Sequence, residues 1–183
     1  MMGRTHLSAG ILTGEIMICA LNQFDQTSTI LLIGTTAIGS LLPDIDHPQS
    51  MVSKSGKITK NLSSSVSAVT QHRGFTHTPV FTALVMFILF MVLRVYTNYA
   101  EMAAFGLGAG MVSHLILDTL NEKGVMWLWP IVPKRLHVAK IRTGTRSESV
   151  FRGTVNIAAT VGLVYILYHQ FSPVWRTIYE HVF

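Results

Sequence analysis

Histidine and carboxylate side chains recur at the ends of the apolar segments of this 183-residue chain. His114 and Asp118 are spaced i, i+4, which places both side chains on one face of a helix, where they can hold one divalent ion. The stretch LLPDIDH supplies Asp44, Asp46 and His47 directly after a proline that ends regular structure. Imidazole and carboxylate ligands suit Zn²⁺, Mn²⁺ or Fe²⁺. These patterns predict a divalent metal site.

Three further segments extend the set of candidate ligands. One histidine opens the first apolar segment, two flank a glycine in QHRGFTHT, and a glutamate precedes the last apolar segment. The metal candidates are His6, Asp44, His47, His72, His77, His114, Asp118 and Glu148. They outnumber the ligands of one tetrahedral ion, so we expect two or more ions, with Asp44 or Asp118 as the bridge. The single cysteine, Cys19, excludes a closed zinc site built from thiolates.

Five apolar segments must position these side chains. They are Leu7–Leu21, Thr29–Leu42, Val80–Tyr96, Met102–Leu120 and Val155–Phe171. Each is near or below the roughly 17–25 residues of a spanning helix, and the first two are short enough to form a re-entrant pair instead. Hydrophobic residues make up 49% of the chain and charged residues only 13%, which is about half the usual charged share. The sequence therefore predicts an all-α, polytopic membrane helix bundle, with residues 1–183 as a single integral membrane domain.

The basic residues are distributed unequally between the two ends of these segments. Twelve of the 14 lysines and arginines lie in the N-terminus, in residues 43–79 or in residues 121–154, and only Arg94 and Arg176 lie on the other side. This asymmetry predicts that the N-terminus and the large loops are cytoplasmic, and we expect the membrane to be a bacterial plasma (inner) membrane. A re-entrant first pair returns both of its ends to one face, so the assignment does not depend on it. Because topology explains the positive charge, we expect no nucleic-acid partner, and we expect the metal candidates at the cytoplasmic end.

Residues 49–71 and 121–152 are the two predicted cytoplasmic loops. In the first loop, Ile58, Leu62 and Val66 recur at helical spacing near several lysines. This spacing indicates an amphipathic helix lying on anionic lipid. A solvated loop is the alternative, and the sequence alone leaves both open.

Six motifs, in order over residues 5 to about 150, carry a resemblance to a known family: THLSAG, LLPDIDHPQS, HRGFTH, SHLILD, GVMWLWP and TGTRSE. The chain resembles the YdjM-like family of membrane-bound, predicted metal-dependent hydrolases. That family is related in turn to zinc-dependent phospholipase C and the S1/P1 nucleases, which hydrolyse phosphoesters with a three-zinc cluster. The resemblance implies a ligand set of His6, Asp44, His72 or His77, His114, Asp118 and Glu148. In the soluble relatives the free N-terminal residue is itself a ligand, whereas here Met-Met-Gly-Arg stands ahead of THLSAG.

Two functions from different classes fit these observations. The first is a hydrolase with two or more divalent ions, zinc favoured over manganese or iron, in which Asp46 or Asp44 is the general base and Arg73 clamps a phosphate. A site at the inner leaflet favours a lipid-linked phosphoester, such as a phospholipid or a polyprenyl phosphate, over a soluble one. The alternative is a non-enzymatic, metal-binding membrane scaffold or partner-recruiting protein. A transporter is disfavoured because the polar residues cluster at one end of the segments rather than near the midplane.

Overall fold

The computed structural model describes residues 1–69 and 74–182, and it confirms the predicted all-α bundle. Its helices are α1 (Gly3–Leu21), α2 (Gln26–Gly39), α3 (Met51–Lys54), α4 (Lys57–Val69), α5 (Pro79–Leu93), α6 (Ala100–Thr119) and α7 (Arg146–Val182), with 3₁₀ segments at Leu42–Asp46 and Phe75–His77. Within the described ranges, extended pairing is confined to two isolated bridges, Asn121 with Ile141 and Val125 with Leu136.

Three stretches of the described chain are long and apolar enough to cross a membrane: Gln26–Asp46, Ala100–Thr119 and Arg146–Ser172. Helix α5 is a shorter apolar helix. The five predicted apolar segments thus correspond to α1, α2, α5, α6 and α7. Helix α7 begins at Arg146, well ahead of the predicted apolar segment and inside the predicted loop 121–152. Hydropathy misses this polar first turn, which carries Glu148, and an acidic residue there is favourable beside the positive end of the helix dipole.

Helix α6 lies at the centre of the bundle and packs against α1, α2 and α5. It approaches α2 closely through glycines. A Cβ added at Gly39 would collide with the Leu107 carbonyl oxygen, and one added at Gly110 would collide with the Thr36 carbonyl oxygen. Small residues at such crossings let helix backbones approach closely within a membrane. The close approach brings the C-terminal end of α2 next to His114 on α6.

A capped helix start fixes the position of His77. The Thr78 hydroxyl accepts the Phe81 backbone N–H at 3.2 Å, and Pro79 occupies the first position of α5. Both features favour a helix beginning at this point. His77 therefore lies directly before the first turn of α5, at the end of the short 3₁₀ segment.

The predicted loop 49–71 contains two helices, α3 and α4, in its described part. Ile58 and Leu62 are exposed on α4, while Ser63 is buried. The Ser63 hydroxyl lies 2.7 Å from the Ser53 hydroxyl, which ties α4 to α3. Of the two alternatives for this stretch, the structure has a helix, and its contact with anionic lipid stays a prediction.

Candidate metal centre

Five of the predicted metal candidates meet at one end of the bundle. His6 comes from α1, Asp44 and His77 from the two 3₁₀ segments, and His114 and Asp118 from α6. Their ligand atoms form two groups, His6–His114–Asp118 and Asp44–His77–His114, each within a span of 4.8 Å. The histidines and Asp118 are 0–1% exposed, whereas the Asp44 side chain is 18% exposed. Distant parts of the chain thus supply one buried cluster that could hold a metal ion.

Two histidine nitrogens form the middle of the cluster, with a carboxylate oxygen from Asp44 and one from Asp118 beside them. The Nε2 atoms of His77 and His114 are 3.3 Å apart. Asp44 Oδ1 lies 3.5 Å from the first and 3.8 Å from the second, and Asp118 Oδ2 lies 3.8 Å from each. A tetrahedral zinc with bonds of about 2.0–2.1 Å holds neighbouring ligand atoms about 3.3–3.4 Å apart. The three distances among the ligand atoms of Asp44, His77 and His114 fit that spacing to within about half an ångström.

The tautomer of His114 is fixed by the end of α2. Its Nδ1 lies 2.7 Å from the Ser40 carbonyl oxygen. A carbonyl oxygen only accepts hydrogen bonds, so Nδ1 carries the proton and Nε2 presents its lone pair to the cluster. One lone pair serves one ion, so the two groups that share His114 cannot both be filled through it.

A second position is centred on the other oxygen of Asp118. His6 Nε2 lies 3.5 Å from Asp118 Oδ1, and the His6 ring stacks on His114 with centroids 3.7 Å apart. Neither ring nitrogen of His6 makes a hydrogen bond with a described residue. Buried polar atoms normally have a partner, so this fully buried imidazole is suited to a metal ligand. Asp118, with one oxygen toward each position, has the geometry of the predicted bridge.

Asp46 lies behind His77 rather than in the cluster. Its Oδ2 is 3.5 Å from His77 Nδ1 and accepts the Thr76 hydroxyl at 2.8 Å. If His77 binds a metal ion, Asp46 would be the outer carboxylate that orients its ring. Burial opposes the charged form of His77, but the hydrogen bonds with Asp44 and Asp46 outweigh it and raise the pKa of His77 above its ordinary value.

Two predicted ligands lie outside both groups. Glu148 accepts the Gly144 backbone N–H at 2.7 Å with one oxygen, and the Thr5 hydroxyl at 3.0 Å and the Met2 backbone N–H with the other. It thereby ties the N-terminal segment to the first turn of α7. His47 is partly exposed, and its Nδ1 accepts the Gln49 backbone N–H at 3.2 Å. The other two predicted site residues, His72 and Arg73, lie outside the described residues.

Sequence reasoning missed several groups that hold the cluster. The amino group of Met1 lies 2.8 Å from Asp118 Oδ1 and is buried. The Ser40 carbonyl and the Thr76 hydroxyl position His114 and Asp46, respectively. Main-chain groups leave no signal in residue identity. For Thr76, the HRGFTH motif was the available signal.

A polar cavity of about 300 Å³ opens beside the cluster. Asp44, His47, Gln49 and Lys123 are among its lining residues. Asp44 therefore belongs both to the buried donor set and to the wall of an accessible cavity. Lys123 supplies a positive charge in that wall.

These features define a helical membrane protein with a buried His/Asp cluster that could bind a metal ion. The chain belongs to the YdjM inner membrane protein family, which matches residues 1–178 and confirms the resemblance drawn from the motifs. It is 32% identical to the uncharacterized protein YvsG of Bacillus subtilis (strain 168) over 169 residues, covering 92% of this chain and 98% of YvsG. It is 37% identical to the inner membrane protein YdjM of Escherichia coli (strain K12) over 101 residues, covering 54% of this chain and 49% of that protein. With the apolar helices, these relatives support a bacterial inner-membrane location. No solved structure matches the chain.

Proposed function

We propose that this protein is a membrane-bound, metal-dependent hydrolase that acts on a phosphoester at the cytoplasmic end of its helix bundle. One observation carries the proposal. The Nε2 atoms of His77 and His114 are 3.3 Å apart, Asp44 and Asp118 each place an oxygen 3.5–3.8 Å from both, and Asp44 also faces a polar cavity. Ligands and an adjoining cavity are the two parts that a hydrolytic metal site requires.

Zinc suits this donor set best, with manganese or iron as alternatives, because the donors are two imidazoles and two carboxylates. A divalent ion supplies Lewis acidity, which lowers the pKa of water and polarises a phosphoryl oxygen. His6 and the second oxygen of Asp118 supply part of a second position.

The surrounding residues divide into those that orient ligands and those that meet a substrate. The Ser40 carbonyl orients the His114 ring, and Asp46 orients the His77 ring. Asp46 therefore acts as a positioning residue. Of the two carboxylates predicted as general base, the geometry favours Asp44, whose side chain is 18% exposed at the cavity.

A phosphate in this cavity would meet positive charge. Lys123 lines the cavity, and Arg73 stays a predicted clamp outside the described residues. The cluster also lies at the ends of two candidate membrane spans, Gln26–Asp46 and Ala100–Thr119. That position favours a lipid-linked phosphoester, whose phosphate sits at headgroup level, over a soluble one.

The alternative function is a non-enzymatic metal-binding scaffold. The near-complete burial of His6, His77, His114 and Asp118 favours it, because structural metal sites are closed whereas catalytic sites keep an open position. The scaffold and the hydrolase both bind metal, so turnover distinguishes them.

The test is hydrolysis of bis(p-nitrophenyl) phosphate and of phospholipids by full-length protein, purified in detergent without chelators or a His-tag and loaded with Zn²⁺ or Mn²⁺. Asp44→Asn is expected to abolish turnover. Asp25→Asn is the matched control, because Asp25 caps α2 at its other end, where it accepts the Ser28 N–H at 2.9 Å. If folded, metal-loaded wild-type protein hydrolyses none of these compounds, the scaffold becomes the better proposal. If Asp44→Asn retains full turnover, the assignment of Asp44 is wrong.

A further inference from the structure

An apolar groove of about 480 Å³ runs between α4 and α5, behind the metal centre. Leu62 and Val66 line it from α4, and Phe81 and Val85 line it from α5. Its volume is in the range of about 300–1,000 Å³ that is typical of ligand sites. The groove is therefore large enough for a ligand and offers it an almost entirely hydrocarbon wall.

The groove adjoins the membrane-facing side of α5. Of the residues of α5, only Thr82 is buried, and Leu84, Phe87 and Val92 are 45%, 61% and 54% exposed. Such a surface on an integral membrane protein faces lipid. One wall of the groove is formed by this same helix. The opening of the groove is therefore next to the hydrocarbon chains of the surrounding lipid.

The distribution of lysines on α4 indicates that the side of this helix that lines the groove faces lipid. Helical periodicity sets Lys57 and Lys60 on the side of α4 opposite Leu62 and Val66. All four residues are at least partly exposed. A helix with lysines on one side and aliphatic residues on the other lies at a membrane surface, with the lysines toward anionic headgroups and water.

The inner wall of the groove is also the back of the metal centre. Ile45 and Thr76 line the groove. The Thr76 hydroxyl donates to Asp46, which in turn faces His77. A chain in this groove would lie one layer of side chains from the candidate metal ligands.

We propose that the α4–α5 groove binds one hydrocarbon chain of an anionic phospholipid. This binding goes beyond the proposed hydrolysis and stands on the shape and polarity of the groove. Only the further step, that the bound phospholipid is the substrate, rests on the proposed function.

Two neighbouring serines of α4 provide a matched test. Ser65 lines the groove and Ser64 does not. Both are exposed, and their hydroxyls bond the carbonyl oxygen four residues earlier at 3.1 and 3.0 Å, respectively. Full-length protein in detergent is mixed with long-chain phosphatidylglycerol or its dihexanoyl form, and bound lipid is counted by native mass spectrometry. We expect wild-type protein to retain the long-chain lipid. Ser65→Trp is expected to weaken this retention at least about tenfold, because the indole would displace several methylenes of the bound chain. Ser64→Trp is expected to behave as wild type.

A second pair of variants distinguishes lipid binding in the groove from a general affinity of α4 for membranes. Leu62→Asn removes an apolar side chain from the groove, whereas Ile58→Asn changes an 84% exposed residue of the same helix that does not line it. Leu62→Asn is expected to lose lipid and Ile58→Asn to keep it, even if Ser65→Trp fails to fold. Equal retention by Leu62→Asn and wild type, or equal binding of the dihexanoyl lipid, would overturn the inference. Metal content and turnover of bis(p-nitrophenyl) phosphate, measured on the same samples, report separately on the proposed hydrolase.

Discussion

Replacing His114 by alanine is expected to weaken metal binding at the proposed site. His114 belongs to both groups of candidate ligands, and it is fully buried. Its fixed tautomer leaves Nε2 as the donor that faces the cluster. Because both groups include His114, this single substitution removes a ligand from whichever group binds the ion.

The size of the effect follows from the ligand number. Zinc bound by four ligands contributes about 10–16 kcal/mol, so one ligand accounts for about 2.5–4 kcal/mol. That corresponds to an affinity roughly 60- to 700-fold weaker in His114→Ala. Asp46→Asn, which disturbs only the orientation of His77, is expected to cost about 10- to 100-fold. His47→Ala is expected to leave affinity unchanged, because His47 lies outside both groups.

The assay is elemental analysis of detergent-purified protein, followed by competition against a chelating dye to rank the affinities of wild type and the three variants. His114→Ala also leaves the buried Ser40 carbonyl without its ring N–H, which costs about 1–3 kcal/mol of stability. Thermal unfolding of each variant is therefore measured alongside, so that loss of metal is compared only among folded proteins.

Two results would refute this reasoning. The first is wild-type metal affinity in folded His114→Ala, which would show that the buried cluster is not the binding site. The second is an equal loss in His47→Ala and His114→Ala, which would shift the site from the buried cluster to the polar cavity that His47 lines.

Two further predictions concern helix packing and pH. Gly110→Ala is expected to lower stability by about 1–3 kcal/mol and to weaken metal binding, because its Cβ would collide with the Thr36 carbonyl and push α6 away from α2. Gly34→Ala, with nothing within 4 Å of its Cβ, is the control in thermal unfolding and metal analysis, and an equal loss in both would contradict the packing argument. Metal affinity is expected to rise with pH, by up to about tenfold per pH unit at pH values below the raised pKa of His77. The reason is that the ion must displace a proton from the His77 imidazole, and Asp44 and Asp46 favour the protonated ring. Dye competition between pH 6 and 8 measures this, and a flat profile would contradict it.

The sequence predicted the ligands that lie on regular helix better than those on irregular turns. The i, i+4 spacing of His114 and Asp118 dictates a shared helix face, and the structure has both in the cluster. In PDIDH, the choice among Asp44, Asp46 and His47 depends on a 3₁₀ turn with about three residues per turn. With this geometry Asp44 and His47, three residues apart, line the same cavity, and Asp46 lies beside Nδ1 of His77.

The fold was predictable because hydrophobic segments of near-spanning length have few alternatives in a membrane. The parts that escaped prediction are those determined by tertiary contact. The polar first turn of α7 is helical where Glu148 meets the N-terminal segment. Likewise, the Ser40 carbonyl reaches His114 only because glycines let α2 and α6 approach closely.

The separation of the ligands along the chain has a consequence for biogenesis. His6 and Asp118 meet in the cluster although they are 112 positions apart in the chain (118 minus 6). A ribosome that adds about 5–20 residues per second takes on the order of 6–22 seconds to make that stretch. By then α1, α2 and α5 have been synthesised, and the donor set stays incomplete until α6 is in place. If the cluster binds a metal ion, both candidate groups become complete only after α6 has been made, so loading would be a maturation step that follows synthesis of most of the helices.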